Sequence, residues 1–178
     1  MNSIKIGIVG SGTMGSGIAA LTAIRGNKVI LYDIEQISIQ KAREVTEKIF
    51  EKQKEKYSSA AAESEGPEGN ITYSNDIMDL NGCEIIIEAV VEDLEIKQSV
   101  FSRLESFMPQ DTIIATNTSS LSITSISSVC KNAERTIGIH FFNPAHIMKL
   151  VEIVPGINTS QSTIDRTKQI LSALDKTV

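Results

Sequence analysis

The sequence predicts an α/β fold in which a mostly parallel sheet is covered by helices on both faces. Three observations carry this expectation. Short β-branched apolar runs recur along the chain, stretches of helical length separate them, and the first two runs flank a turn with three glycines. Strands buried on both faces read as unbroken apolar runs, as residues 84–87 (Glu-Ile-Ile-Ile) and 112–115 (Thr-Ile-Ile-Ala) nearly do.

Residues 4–9 (Ile-Lys-Ile-Gly-Ile-Val) form the first predicted strand. It passes through Gly10-Ser11-Gly12-Thr13-Met14-Gly15 into residues 18–24 (Ile-Ala-Ala-Leu-Thr-Ala-Ile), a helix-compatible stretch closed by Gly26. Residues 28–32 (Lys-Val-Ile-Leu-Tyr) form a second strand that delivers Asp33 at its end. Strand, glycine turn, helix and strand make one βαβ unit of the doubly wound Rossmann type. Gly10 permits the tight turn, Gly12 lets backbone N–H groups approach a pyrophosphate, and Gly15 allows close helix–strand packing. The helix N-terminus, beginning at Thr13 and Met14, adds its positive end. Asp33 stands near the ~20-residue spacing at which an acid accepts hydrogen bonds from a ribose diol. A 2′-phosphate would meet that carboxylate with Ile34, not arginine, beside it, so NAD is expected in preference to NADP.

Residues 38–57 place Ile39, Ala42, Val45 and Ile49 at helical spacing and end in a charged, solvated extension from Glu51 to Lys56. Residues 58–70 are small, acidic and turn-rich, an irregular excursion inside one domain spanning 1–178. A strand at 71–73, a helical turn at 76–80 and a strand ending at Glu88 come next. Residues 93–107 form an amphipathic helix stopped by Pro109, and 112–115 a strand with a polar exit loop through Asn117 and Ser119. A helix at 122–129, strands at 136–139 and 149–154, and a closing helix at 160–174 complete the series.

A chain of 178 residues can bury one substantial core. Its 17 basic and 22 acidic residues give a net charge of −5, which argues against general binding of nucleic acid. No uncharged run approaches the roughly 18 residues of a membrane span, and the first strand starts too early to leave room for a secretory signal. Cys83 and Cys130 are far apart and read as reduced thiols. A cytoplasmic protein without a membrane partner is expected.

Both histidines lie in the block His140-Phe-Phe-Asn143-Pro-Ala-His146-Ile-Met-Lys-Leu-Val-Glu152. His140 directly follows the run 135–139, where a strand ends and ligands of open α/β sheets bind. If the run holding Glu152 returns beside it, the carboxylate can take the second ring N–H and fix the tautomer of a histidine acid/base. The plainer alternative is a hydrogen-bonded strand-end histidine and a surface acid. His146 reads as a loop or cap residue. The His-x5-His spacing, without a cysteine or acid cluster, is not that of a zinc site, and no metal is expected.

Gly10-x-Gly12-x-x-Gly15, Glu88-Ala-Val-Val-Glu92, Asn117-Thr-Ser119-Ser and the histidine block together resemble the NAD-binding domain of the 3-hydroxyacyl-CoA dehydrogenases, most of all the bacterial 3-hydroxybutyryl-CoA branch. The resemblance covers essentially the whole chain. It implies hydride transfer between NAD and C3 of an L-3-hydroxyacyl-CoA, as in fatty-acid or butanoate metabolism. It makes His140 the base, Glu152 its orienting carboxylate, and Ser119 a donor to the reacting oxygen, with Asn143 shaping the pocket. It sets Glu92, Lys97 and Asn117 near the ribose and nicotinamide end. For Lys97 an i,i+4 pair with Asp93 is an equal alternative, and Asn117 or Ser119 can simply satisfy a turn.

The chain departs from the family in two places. Residues 58–70 replace the return arm of a helical hairpin that helps hold coenzyme A. The helical domain that closes the cleft, forms the homodimer and adds an active-site asparagine has no counterpart before Val178. The expectation is half an enzyme, poorly active alone. The alternatives are a related dehydrogenase of a sugar acid such as gulonate, or a non-catalytic NAD-binding module.

Overall fold

The computed structural model describes residues 3–56 and 66–178. Most of the predicted excursion at 58–70 therefore lies outside the described residues, and its last part, Pro67–Asn70, is a 3-10 turn. The strands are β1 (Lys5–Val9), β2 (Lys28–Tyr32), β3 (Ile71–Ser74), β4 (Ile85–Glu88), β5 (Ile113–Thr116), β6 (Thr136–Phe141) and β7 (Val151–Pro155). The helices are α1 (Thr13–Ile24), α2 (Gln36–Lys56), α3 (Leu94–Phe107), α4 (Ile123–Ser127) and α5 (Gln161–Ala173). The strands form one sheet in the order β3-β2-β1-β4-β5-β6-β7, parallel except for β7. From β1 the chain winds outward through β2 and β3, then crosses back to start again at β4. That reversal leaves a crevice at the carboxyl ends of β1 and β4, where open α/β sheets bind ligands.

Alternation along the strands divides the core. Ile85 and Ile87 of β4 pack on the face covered by α1, α2 and α5, whereas Ile86 packs on the other face with Phe101 and Leu104 of α3. Small residues Ala19, Ala20 and Ala23 let α1 sit close to the sheet. Register aligns the last residues of the parallel strands: Tyr32, Val9, Glu88 and Thr116 stand side by side. A functional group placed at any of these ends is thereby brought to one edge.

Three expectations need correction. The buried stripe of α2 is Ile39, Ala42, Thr46 and Phe50, with Val45 exposed, because Thr46 turns inward to hydrogen-bond the Tyr73 hydroxyl. His140 lies within β6, and β7 runs antiparallel to it as the second arm of a return that needs no crossover helix. The Asp93–Lys97 pair is not formed. Asp93 caps α3 by accepting from the Ile96 N–H at 3.0 Å, and the Lys97 ammonium turns the other way.

Among the described residues no helix is long and apolar enough to cross a membrane. Cys83 and Cys130 are both free, and burial pushes both thiols up to about 11.

Gly138 sets the fit of α4 on β6. A Cβ there would lie 2.6 Å from Ile123 Cδ1 and 3.0 Å from the Val154 carbonyl oxygen, so the β6–β7 ladder itself would have to give. Gly138→Ala is expected to destabilise the protein by about 1–3 kcal/mol. The check is a urea unfolding midpoint, and a loss below roughly 0.5 kcal/mol, the scale of an ordinary surface change, would contradict this packing.

Candidate active site

The glycine turn joins β1 to α1, and each glycine answers a different constraint. Gly10 has φ +98°, and a Cβ there would stand 2.8 Å from the Ala89 carbonyl oxygen in the loop leaving β4. At Gly15 a Cβ would fall 1.8 Å from the Gly10 carbonyl oxygen, so this glycine closes the turn on itself as well as packing toward Ile8. At Gly12 a Cβ meets nothing within 4 Å. Among the described residues no atom requires that glycine, so the space in front of it is open to a ligand. Gly12 also opens α1 without a side-chain cap, which leaves first-turn N–H groups at Thr13 and Met14 facing an anion-binding position.

Asp33, at the end of β2, is already oriented. Its Oδ2 accepts from the Ser11 N–H at 2.7 Å and the Ser11 hydroxyl at 2.8 Å, and its Oδ1 accepts from the Glu35 N–H at 3.0 Å. A cleft of about 710 Å³ opens over these groups. Gly10, Ser11, Gly12, Asp33 and Ile34 wall one side, and Ile96 and Arg103 of α3 the other. These residues can hold the adenosine and pyrophosphate of a dinucleotide. NAD thus fits the groups present.

The cleft does not reach His140. That residue lies three strands away from β1, about 14 Å at ordinary strand spacing. The intervening strand ends carry a charged network. Glu88, fully buried, accepts from the Val90 N–H, the Thr116 hydroxyl and the Lys97 ammonium, each at 2.7 Å. The Lys97 side chain is 1% exposed and also pairs with Glu92 at 3.3 Å. Glu92 accepts further bonds from the Thr118 hydroxyl, the Ser119 N–H and the Ser120 hydroxyl. Burial alone would raise the Glu92 pKa, but the Thr118 hydroxyl and Lys97 outweigh it and hold the carboxyl below its usual range. Lys97 is therefore a buried strut, and Glu92 fixes the loop bearing the exposed Ser119.

Asn117 links this network to β6. Its N–H donates to the Glu88 carbonyl oxygen at 2.8 Å, and its side-chain oxygen accepts from the Phe141 N–H at 2.9 Å. Next to Phe141, His140 stands directly opposite Glu152 in the β6–β7 register, with Nδ1 2.8 Å from Glu152 Oε2. An ionised carboxylate only accepts, so Nδ1 carries the hydrogen and Nε2 keeps a free lone pair. Phe142 packs tilted against the imidazole, ring centroids 4.7 Å apart. Asn143 follows on the exposed part of the loop. His146 is separate from the pair: its Nδ1 is buried and finds no partner among the described residues, and burial, reinforced by Lys176 and Lys52, lowers its pKa. Among the described residues no group of three or more metal-ligating side chains is present.

The structure thus brings His140 to Glu152, joins Glu92, Lys97 and Ser119 in one network, and gathers Gly10, Gly12 and Asp33 around one cleft. Sequence reasoning missed Ser11, Thr116 and Thr118. Isolated hydroxyl residues in a loop or at a strand end carry no spacing signal. Glu88 did offer one, an acid ending an apolar run, but its partner could not be read from the sequence.

A family model described as 3-hydroxyacyl-CoA dehydrogenase, NAD binding domain, matches residues 5–178. The 3-hydroxybutyryl-CoA dehydrogenase of Clostridioides difficile is 40% identical over 97% of this chain and 62% of its own length. Human mitochondrial hydroxyacyl-coenzyme A dehydrogenase is 37% identical over 95% of this chain and 56% of its own length. The crystal structure of (S)-3-hydroxybutyryl-CoA dehydrogenase from Ralstonia eutropha superposes with a TM-score of 0.92 at 34% identity, covering 98% of this chain and 62% of that one. The chain spans about 60% of the length of such relatives.

The glycine geometry separates folding from binding. Gly12→Ala is expected to cost less than about 1 kcal/mol of stability, as at other helix N-caps. The same change should weaken NADH binding at least tenfold, about 1.4 kcal/mol. Gly15→Ala should instead destabilise the protein by more than about 2 kcal/mol, because the clash is with backbone. Chemical denaturation and NADH fluorescence titration measure the two quantities, and equal effects of both variants on stability would refute the assignment.

Proposed function

Because the chain belongs to the 3-hydroxyacyl-CoA dehydrogenase family through its NAD-binding domain, we propose that it supplies the cofactor-binding half and the catalytic base of an NAD-dependent L-3-hydroxyacyl-CoA dehydrogenase. The relatives' names point to a short-chain acyl-CoA such as 3-hydroxybutyryl-CoA. The setting proposed is cytoplasmic fatty-acid or butanoate metabolism, in a homodimer of the full-length protein.

The observation that carries this reading is the 2.8 Å contact between His140 Nδ1 and Glu152, set on the same sheet edge as an NAD-type glycine turn. A module that only bound nucleotide would have no use for it. A dinucleotide held here would supply the hydride chemistry, its oxidised form as acceptor from the substrate carbon and its reduced form as donor in the reverse direction. His140 Nε2 takes the proton of the 3-hydroxyl in one direction and gives it back in the other. Glu152 holds the ring's orientation and stabilises the imidazolium that forms. The Ser119 hydroxyl donates to the reacting oxygen, its loop pinned through the N–H bond to Glu92. Asn143 borders the substrate position. Asp33 selects an unphosphorylated ribose, since its carboxylate repels a 2′-phosphate.

Two measurements test this. In the full-length protein, His140→Ala is expected to leave NADH binding within about twofold while lowering turnover of acetoacetyl-CoA by roughly 10²- to 10⁴-fold, the usual worth of a positioned base. Near-normal activity would remove His140 from the chemistry. NADH is expected to bind at least tenfold more tightly than NADPH, about 1.4 kcal/mol. The chain lacks tryptophan, so nucleotide fluorescence reports without interference from that residue.

A further inference from the structure

We propose that the Glu88–Lys97–Glu92 triad carries a fixed net charge of −1 and strengthens binding of the oxidised dinucleotide relative to the reduced one. The proposal rests on the NAD-binding reading and adds to it a preference between the two redox forms.

The charge count follows from where the hydrogens go. The Thr116 hydroxyl accepts from the Thr118 N–H at 3.3 Å, so its own proton is directed to Glu88. The Val90 N–H and the Lys97 ammonium also donate to Glu88, which meets three donors. Donors on every side are the surroundings of a carboxylate. The same reasoning applies to Glu92. The Thr118 hydroxyl accepts from the Leu121 N–H at 3.0 Å and the Ser120 N–H at 3.4 Å, which commits its proton to Glu92. Two carboxylates share one ammonium, and the excess is a single negative charge. Glu88 and Lys97 neutralise each other in the buried part of the triad, so the excess sits at Glu92, whose side chain is 38% exposed and faces the site with solvent screening it in part.

Position makes the charge relevant. The adenosine end is anchored at Asp33 on β2 and the pyrophosphate at the glycine turn after β1, so an extended dinucleotide continues over the ends of β4 and β5 toward His140 on β6. The triad lies under that path. Gly10 touches the loop leaving β4 at Ala89, and Asn117 ties Glu88 to Phe141, the neighbour of His140. The two redox forms share every phosphate and sugar and differ by one positive charge on the nicotinamide ring. A fixed negative charge nearby attracts the oxidised ring and leaves the neutral reduced ring indifferent. By that contribution the triad makes the bound reduced cofactor a stronger hydride donor than it would be without the charge.

The test measures Kd for NADH by its fluorescence and Kd for NAD by displacement of NADH, and reads the ratio Kd(NAD)/Kd(NADH). Glu92→Gln keeps the shape and removes the excess charge. It sits at the exposed end of the triad, with 38% of its side chain accessible, and glutamine keeps an oxygen that can accept from the Thr118 hydroxyl and the Ser119 N–H. The ratio is expected to rise roughly three- to tenfold. Glu88→Gln, where it folds, shifts the ratio the same way. Thr118→Val, which deletes a hydrogen bond and no charge, leaves the ratio within twofold. Glu95→Gln, which removes an acid from the wall of the adenosine cleft, changes both Kd values together. A Glu92→Gln ratio equal to wild type, or a Thr118→Val shift as large as that of Glu92→Gln, overturns the proposal. Wild-type protein that binds neither nucleotide removes the cofactor reading on which it stands.

Discussion

Glu88 closes β4 with a charge where the neighbouring strands close with Val9, Tyr32 and Thr116. A buried carboxylate at the centre of a sheet would be untenable alone, and its ammonium partner comes from α3, the helix that follows. Removing one member of such a pair typically costs about 3–5 kcal/mol, because the other is left charged in a dry place. The pair therefore fixes the pitch of α3 against the sheet, and with it the far wall of the cleft formed by Ile96 and Arg103. Through Thr116, Thr118 and Glu92 the same carboxylate orders the loop carrying Ser119, and the backbone at Glu88 and Asn117 extends that order to β6.

The proposed chemistry is thus distributed over strand ends whose mutual positions come from backbone pairing. His140 and Glu152 need no loop to find each other. They are opposite residues in an antiparallel ladder, side chains on one face, and the geometry of the sheet delivers the contact. Gly138, two residues before the histidine on the same side of the strand, leaves no room for a Cβ between α4 and the β7 backbone. A site built on strands in this way is held more rigidly than one carried on mobile loops.

Much of this was legible in the sequence because it depends on local pattern. The βαβ unit, the glycine turn, Asp33 and the alternation of strands and helices are encoded by apolar periodicity and by residues with backbone roles, and each stands where that pattern places it. The strand containing Glu152 was also legible, although its antiparallel direction was not, since an apolar run looks the same in either sense. Lys97 shows the limit. Its spacing from Asp93 suggested a surface pair, while its real partners are nine residues back on a strand and at Glu92 before the helix. Long-range polar contacts of that kind, like Thr46 with Tyr73 or Ser11 with Asp33, leave no periodic trace.

The Ser11–Asp33 contact has a kinetic consequence. Both carboxylate oxygens are held before any ligand arrives, one by the turn and one by the chain beyond β2. A ribose meeting that carboxylate does not wait for a side chain to choose its rotamer, and little ordering entropy is lost at this point on association. The adenosine end can dock first, at a rate set by encounter rather than rearrangement. The remaining length of the dinucleotide then explores the sheet edge as a tethered group, at a high effective concentration over the strand ends that lead to His140.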